Sequence, residues 1–391
     1  MEQVQIRSIL TVARALEHAR PDDVATVVAE ALSSAGALSS RIYFIDYEQR
    51  TLRSVPDTEE ELDVNGSLAG AAYRTGEVVE IEHEGAWRSF LPLIDGRVRL
   101  GVLAVEVRHL DDDTREWLKG AADIVTLALI ARGPYGDTFD NVRRSRDLDL
   151  ATELRYSLLP PASFSTHDFE VAAILEPAYQ VAGDGFDYAL NGDMLYLTIA
   201  DAVGHGLASA RTANLLTAAL RWSRRRGHLL EEAYSEANRV LVEEAGVDQF
   251  VTAAIARVDT STGRVALVNA GHPPPLLLRG RRHVVAYECP VNLPVGLAES
   301  SDPPEVTRFD LEPGDALLFY TDGVIDTLDP AGRPFGRERL EQFLVKAVSS
   351  DELPSEMLRR LVHSILDHSV IPIRDDACML YMHWDPGNIV E

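Results

Sequence analysis

Two short stretches of small, glycine and acidic residues stand on either side of a predicted strand: Val181-Ala182-Gly183-Asp184-Gly185-Phe186-Asp187 and Asp201-Ala202-Val203-Gly204-His205-Gly206. Between them, Asn191-Gly192 is a strong hairpin signal. Residues 194–200 follow directly and are mostly apolar, which is typical of a buried strand. The pattern therefore predicts that a strand leads into Asp201 and that Asp184 lies beside another strand.

Two more acidic positions share this setting. An apolar strand, residues 316–320, leads into Asp322, and another, residues 378–382, follows Asp375. Because strand ends can project several side chains into one cleft, we expect Asp184, Asp201, Asp322 and Asp375 to converge. Two carboxylates about 5 Å apart repel by roughly 3 kcal/mol at an effective dielectric near 20. Four of them require either protonation or cations between them.

Oxygen ligands of this kind select hard cations, so Mg²⁺ or Mn²⁺ is expected rather than zinc or copper. Two such ions about 4 Å apart would lower the pKa of a bridging water, and the resulting hydroxide would attack a phosphoryl group in line. Each Asp-Gly taken singly has another interpretation, as a turn or a helix cap.

The order of predicted elements indicates an α+β fold with two domains. Residues 165–391 begin and end with strands and carry a pair of helices between them. Residues 1–135 predict helices around a small, mostly antiparallel sheet, and residues 133–136 break the chain. Residues 136–164 predict a connector helix, which either pairs with its copy in a dimer or packs on its own domain. Its apolar face is predicted to contain Leu150, Ala151, Leu154 and Leu158.

Composition excludes several classes of function. The chain has 391 residues and a formal net charge of −25, which argues against a nucleic-acid partner. Its two cysteines, Cys289 and Cys378, provide neither a disulfide framework nor a zinc ligand set, and fit a reduced cytoplasmic location. We find no signal peptide and no apolar run that would span a membrane. The one dense basic cluster, residues 221–226, is interpreted as a helix C-terminus or as a docking site for an acidic group.

Residues 150–385 resemble the PPM group of metal-dependent serine/threonine phosphatases, in its bacterial SpoIIE and RsbU-like branch. The resemblance rests on short motifs in family order: Leu154-Arg155-Tyr156-Ser157-Leu158-Leu159-Pro160, residues 182–187, residues 201–206, Asn269-Ala270-Gly271-His272-Pro273-Pro274-Pro275, Pro313-Gly314-Asp315, Tyr320-Thr321-Asp322-Gly323-Val324 and Asp375-Asp376. Three positions depart from the family pattern. Ala182 replaces a glycine, Gly185 replaces a mostly aromatic position, and Ala202 replaces a valine.

The resemblance implies a β-sandwich flanked by helices that hydrolyses phosphoserine or phosphothreonine. Asp184 and Asp201 would bind two Mn²⁺ or Mg²⁺ ions, the backbone carbonyl of Ala202 would be a further ligand, and Asp322 and Asp375 would complete the set. Asp187 and Asp376 are weaker candidates, through water. His205 and His272 would either transfer protons or brace loops.

Leu91-Pro92-Leu93 and Leu100-Gly101-Val102-Leu103 resemble a GAF domain. This implies a sensor domain that binds a small ligand or a protein and regulates the phosphatase, with a homodimer expected. The other interpretation of this domain is a structural or dimerising domain with a filled core. In similar family members the substrate is often a phosphorylated STAS-type anti-sigma-factor antagonist. The alternative is a sensor or scaffold that binds phosphoprotein without hydrolysing it. A metal nuclease is disfavoured by the acidic charge.

Overall fold

The structure is a computed structural model that describes residues 12–55, 60–96, 98–176, 179, 183–246, 248–280, 283–297, 303–348, 352–368 and 376–387. The chain divides into two compact units, Met1–Asp147 and Leu148–Glu391. Every helix in the described ranges is too short or too polar to cross a bilayer.

The first unit contains an antiparallel sheet. Some of its paired strands are adjacent in the sequence, and others are far apart in it. Its order from edge to edge is Glu61–Asp63, Thr51–Val55, Ser39–Ile45, Val98–Val107, Ala86–Asp95 and Val79–His83. The helices Val24–Ser34 and Asp112–Arg132 bury one face of this sheet, and Leu68–Thr75 packs against the other. Alternation of side chains along each strand produces these two separate clusters. The predicted sheet with flanking helices is therefore present in the described residues.

The connector differs from its prediction. The single connector helix predicted within residues 136–164 is instead two short helices, Thr138–Arg143 in the first unit and Leu150–Tyr156 in the second. Asp149 caps the second helix by accepting a hydrogen bond from the Thr152 amide at 2.7 Å. The buried face also differs, because Leu150 is 68% exposed while Arg155 is buried. The apolar pattern failed here because Arg155 finds its partners far away in sequence.

The second unit contains two sheets, each with six strands in the described residues. Sheet I has the order Val291–Asn292, Arg264–Ala270, Val251–Asp259, Met194–Ala202 and Asp184–Asn191, with Thr307–Asp310 also paired to Arg264–Ala270. Sheet II has the order His283–Ala286, Leu276–Arg279, Asp315–Tyr320, Ala377–Trp384, Phe169–Glu176 and Ser163–Ser165.

One hydrophobic cluster contains inward-facing residues of both sheets, including Phe186 and Ile199 of sheet I and Phe319 and Leu380 of sheet II. The helices Gly206–Arg225 and Leu230–Glu244 cover the other face of sheet I. Arg337–Val348 and Pro354–His368 cover the other face of sheet II. The prediction of a mixed α and β fold is confirmed.

Candidate metal centre

Asp184 and Asp201 are directly opposite each other in sheet I, at the open end of the hairpin that turns at Gly192. Residues opposite each other on antiparallel strands project from the same face. That face also carries Phe186 and Ile199, so both carboxylates lie on the side shared with sheet II. Asp184 is only 1% exposed. The hairpin thus brings together two of the four predicted carboxylates.

Thr321 connects this pair to sheet II. Its hydroxyl donates a hydrogen bond to Asp184 Oδ2 at 2.6 Å and accepts one from the Cys378 amide at 2.9 Å. The next residue, Asp322, begins the short helix Asp322–Asp326. Asp322 is therefore the direct sequence neighbour of a residue whose side chain contacts Asp184.

Asp376 contacts the loop that precedes Asp184. Its Oδ2 accepts hydrogen bonds from the amides of Gly183 at 3.1 Å and Asp184 at 3.4 Å. A Cβ atom at Gly323 would lie 2.0 Å from the Asp376 carbonyl oxygen, so these backbones meet closely. The predicted ligand Asp375 lies outside the described residues, as does Ala182.

Ala202 lies against Gly183. The Ala202 amide donates to the Gly183 carbonyl at 3.1 Å, and a Cβ atom at position 183 would lie 2.4 Å from the Ala202 carbonyl oxygen. Glycine at 183 is therefore required for this close approach. The carbonyl of Ala202 therefore lies at the same end of the hairpin as the paired carboxylates of Asp184 and Asp201.

The donors gathered here are carboxylate and carbonyl oxygens, the ligands that Mg²⁺ and Mn²⁺ prefer. Two acidic side chains in one cross-strand pair also favour a cation between them. Across the described ranges, no three His, Cys, Asp or Glu side chains come close enough together to hold an ion. The arrangement of Asp184 and Asp201 fits one part of the predicted site, and the contributions of Asp322 and Asp375 stay predictions.

Residues 191–385 match the family described as stage II sporulation protein E (SpoIIE). This C-terminal domain belongs to the SpoIIE family of PP2C-type phosphatase domains. The resemblance read from the sequence motifs is confirmed for this part of the chain.

Similar proteins agree with this membership. Protein IcfG of Synechocystis sp. is 25% identical over 275 residues, which cover 62% of this chain and 42% of IcfG. Phosphoserine phosphatase RsbU of Bacillus subtilis is 21% identical over 241 residues, covering 60% of this chain and 69% of RsbU. The chain thus spans less than half the length of IcfG. The solved SiaA-PP2C domain of Pseudomonas aeruginosa is 18% identical, covers 66% of this chain and 100% of that domain, and has a TM-score of 0.51, which supports the fold.

A buried arginine, Arg155, lies beside Asp184, and no role of its own was predicted for it from the sequence, although it stands in the motif of residues 154–160. Arg155 Nε donates to the Asp184 carbonyl at 3.0 Å, and Nη1 donates to Asn214 Oδ1. Burial lowers the pKa of Arg155, and the nearby Cys378, Asp184 and Asp376 oppose that shift. The sequence did contain one signal. Ala151 and Arg155 are four residues apart, so on a helix they lie on the same face, which was predicted to be buried.

Asp187 makes ion pairs with a helix that covers sheet I. It lies three residues beyond Asp184, and alternation along the strand places it on the opposite face. Its carboxylate pairs with Arg221 at 2.8 Å and Arg224 at 3.1 Å. Both arginines belong to the basic cluster of residues 221–226, at the C-terminal end of Gly206–Arg225. These two members of the cluster thus fasten their helix to sheet I.

His272 is buried in a loop-bracing position. Its Nδ1 lies 3.1 Å from Thr252 Oγ1, and its amide donates to Asn269 Oδ1 at 2.8 Å. Burial lowers the pKa of His272 to about 3, so the imidazole is neutral near pH 7. Thr252 is itself the cross-strand partner of Asp201. The contacts support the bracing interpretation for His272, whereas His205 is exposed at the start of Gly206–Arg225.

Proposed function

We propose that this protein is a metal-dependent phosphoprotein phosphatase that hydrolyses phosphoserine or phosphothreonine on a partner protein. The observation that carries the proposal is the cross-strand pair of Asp184 and Asp201, with Thr321 and Asp376 against it, in a domain of the SpoIIE family. In this proposal the two sheets form the β-sandwich of that family.

The proposed ligands are Asp184, Asp201, the carbonyl of Ala202, Asp322 and Asp375. Together they would hold two Mg²⁺ or Mn²⁺ ions, which supply an activated water for attack on phosphorus. The chain positions these ligands through neighbouring side chains. Thr321 orients the Asp184 carboxylate, and Asp376 holds the amides of Gly183 and Asp184. His272 is neutral and hydrogen-bonded to Thr252. We therefore propose that it supports the strand that pairs with Asp201 and does not transfer protons.

The proposed substrate is a phosphorylated STAS-type anti-sigma-factor antagonist. It is supported by the likeness to RsbU of Bacillus subtilis, which is named a phosphoserine phosphatase. We further propose that residues 1–135 are a GAF-like sensor domain, that residues 136–164 connect it to a catalytic domain over 165–391, and that the protein is a cytoplasmic homodimer. The antiparallel sheet with helices on both faces supports the sensor assignment.

The test is hydrolysis of p-nitrophenyl phosphate and of a phosphoserine STAS protein, with Mn²⁺ and after chelation. We expect Mn²⁺-dependent hydrolysis that is lost in Asp201→Asn and Asp322→Asn. The loss of activity should be larger than the roughly 10- to 100-fold loss that follows removal of a residue that only orients a metal ligand. Asp187→Asn is the matched control, because it changes an acidic residue of the same strand on the opposite face.

A wild-type protein that binds the phosphorylated STAS protein but does not release phosphate with any divalent ion would support the scaffold alternative. Equal hydrolysis by wild type and Asp201→Asn would overturn the proposed metal site.

A further inference from the structure

Arg155 is buried against the backbone of a proposed metal ligand. The residue is 1% exposed, and its guanidinium binds the Asp184 carbonyl through Nε and Asn214 through Nη1. Asn214 in turn donates to the Leu154 carbonyl at 2.8 Å. These bonds connect three elements: the short helix Leu150–Tyr156, the helix Gly206–Arg225 and the strand end at Asp184. The guanidinium is therefore held from two sides.

Gly185 leaves the space that this guanidinium fills. A Cβ atom at position 185 would lie 1.5 Å from Nη2 and 2.7 Å from Cζ of Arg155. Arginine is flexible in general, but here movement of the guanidinium would break its bonds to Asp184 or Asn214. A side chain at 185 and the observed position of Arg155 exclude each other. This accounts for glycine at the position where the family pattern has a mostly aromatic residue.

We propose that Arg155 is a positioning residue that sets the place of Asp184, and that Gly185 is required because Arg155 occupies its side-chain space. The proposal rests on the proposed function, since it assigns Asp184 to the metal centre. In this proposal Arg155 acts on the metal centre through the Asp184 backbone carbonyl and is not itself a ligand. Residues that orient a ligand in this way change metal affinity when they are removed.

The experiment compares Arg155→Ala, Gly185→Ala and the double variant in the full-length protein. Mn²⁺ alone is titrated, and two quantities are measured: the Kd for Mn²⁺, obtained from the dependence of Tm on Mn²⁺ concentration, and the Mn²⁺ concentration for half-maximal p-nitrophenyl phosphate hydrolysis. We expect each single variant to raise both quantities by roughly tenfold. The double variant should match Arg155→Ala alone, because the clash at position 185 disappears with the guanidinium.

Arg155→Lys provides a second route if Arg155→Ala does not fold. Lysine keeps the charge but lacks the planar fork that binds two acceptors. We expect Arg155→Lys to weaken Mn²⁺ binding, and Gly185→Ala to add little in that background. Arg359→Ala is the matched control, since Arg359 is equally buried and pairs with Glu356 at 2.7 Å on the helix Pro354–His368. It should lower Tm without changing the Mn²⁺ concentration at half-saturation.

Wild-type Mn²⁺ affinity in both Arg155 variants would overturn the proposal, and so would a full additional effect of Gly185→Ala in either background. The Tm readout separates this failure from failure of the proposed function. A protein whose Tm responds to Mn²⁺ but which hydrolyses no phosphate ester contradicts the phosphatase assignment and still tests Arg155. A wild type that does not respond to Mn²⁺ by either readout overturns both proposals.

Discussion

Thr321 follows a strand of sheet II and donates a hydrogen bond to Asp184 of sheet I. Replacing it by valine keeps the shape but removes both hydrogen bonds. The buried Cys378 amide then loses its acceptor, so we expect a loss of about 1–3 kcal/mol in the free energy of unfolding, measured by urea denaturation. Thr321→Ser retains the hydroxyl and should be more stable than Thr321→Val. Equal stability of the two variants would contradict the assigned role.

His272 provides a prediction about pH. Its pKa of about 3 in the folded protein lies below its ordinary value of 6.5, so the unfolded chain binds more protons between these values. The stability contributed by neutral His272 is therefore complete above pH 6.5 and is lost as the pH falls towards 3, at up to about 1.4 kcal/mol per pH unit. His272→Gln should lose less stability than wild type between pH 6.5 and 4 in urea denaturation. Parallel curves would contradict this prediction.

At the level of elements, Asp187 fastens the helix Gly206–Arg225 to sheet I through Arg221 and Arg224. Asp187→Ala leaves two cations without this partner, so we expect about 3 kcal/mol less stability in urea denaturation. The Mn²⁺ concentration at half-saturation should not change, because Asp187 lies on the opposite strand face from Asp184.

The control for this prediction is an exposed helix pair. Glu243 lies 2.5 Å from Arg239 at the surface, and Glu243→Ala should cost less than about 1 kcal/mol. A similar cost for both substitutions would show that the Asp187 contacts do not dock the helix.

For the whole molecule, the two units have separate hydrophobic clusters. We predict two unfolding transitions. Mn²⁺ should stabilise only the SpoIIE domain, whose free energy of unfolding should rise by about 2.7 kcal/mol at a Mn²⁺ concentration of a hundred times the Kd. Trp87 and Trp117 lie in the first unit, and Trp222 and Trp384 lie in the second. Fluorescence of a Trp87→Phe/Trp117→Phe variant would therefore follow the second unit alone. A single transition shifted as a whole would contradict the prediction.

Regulation by the first unit is also a prediction for the whole molecule. We expect deletion of residues 1–135 to change the turnover number or its response to a partner protein. The comparison uses Mn²⁺-dependent phosphatase assays of the full chain and the truncated chain at equal concentrations. Identical kinetics with and without partner would count against regulation through this unit.

Local patterns were sufficient for much of the secondary structure of the described residues. The strand predicted over residues 316–320 is observed as Asp315–Tyr320, and the strand predicted over residues 378–382 lies within Ala377–Trp384. Apolar periodicity, caps and turns act among near neighbours, so they are readable from the chain itself. The motifs around Asp201 and Asp322 likewise identified the family, because motif order is a property of the sequence.

Tertiary structure alone placed Asp184 opposite Asp201, set Thr321 against Asp184, and assigned Asp187 to helix docking. It also broke the predicted connector helix and buried Arg155, whose acceptors at Asp184 and Asn214 lie 29 and 59 positions further along the chain. Burying a guanidinium is favourable only when distant groups bond to it, and no local pattern encodes those groups. For the same reason, Gly185 was only a departure from the family pattern in the sequence, whereas in the fold it leaves the space that Arg155 fills.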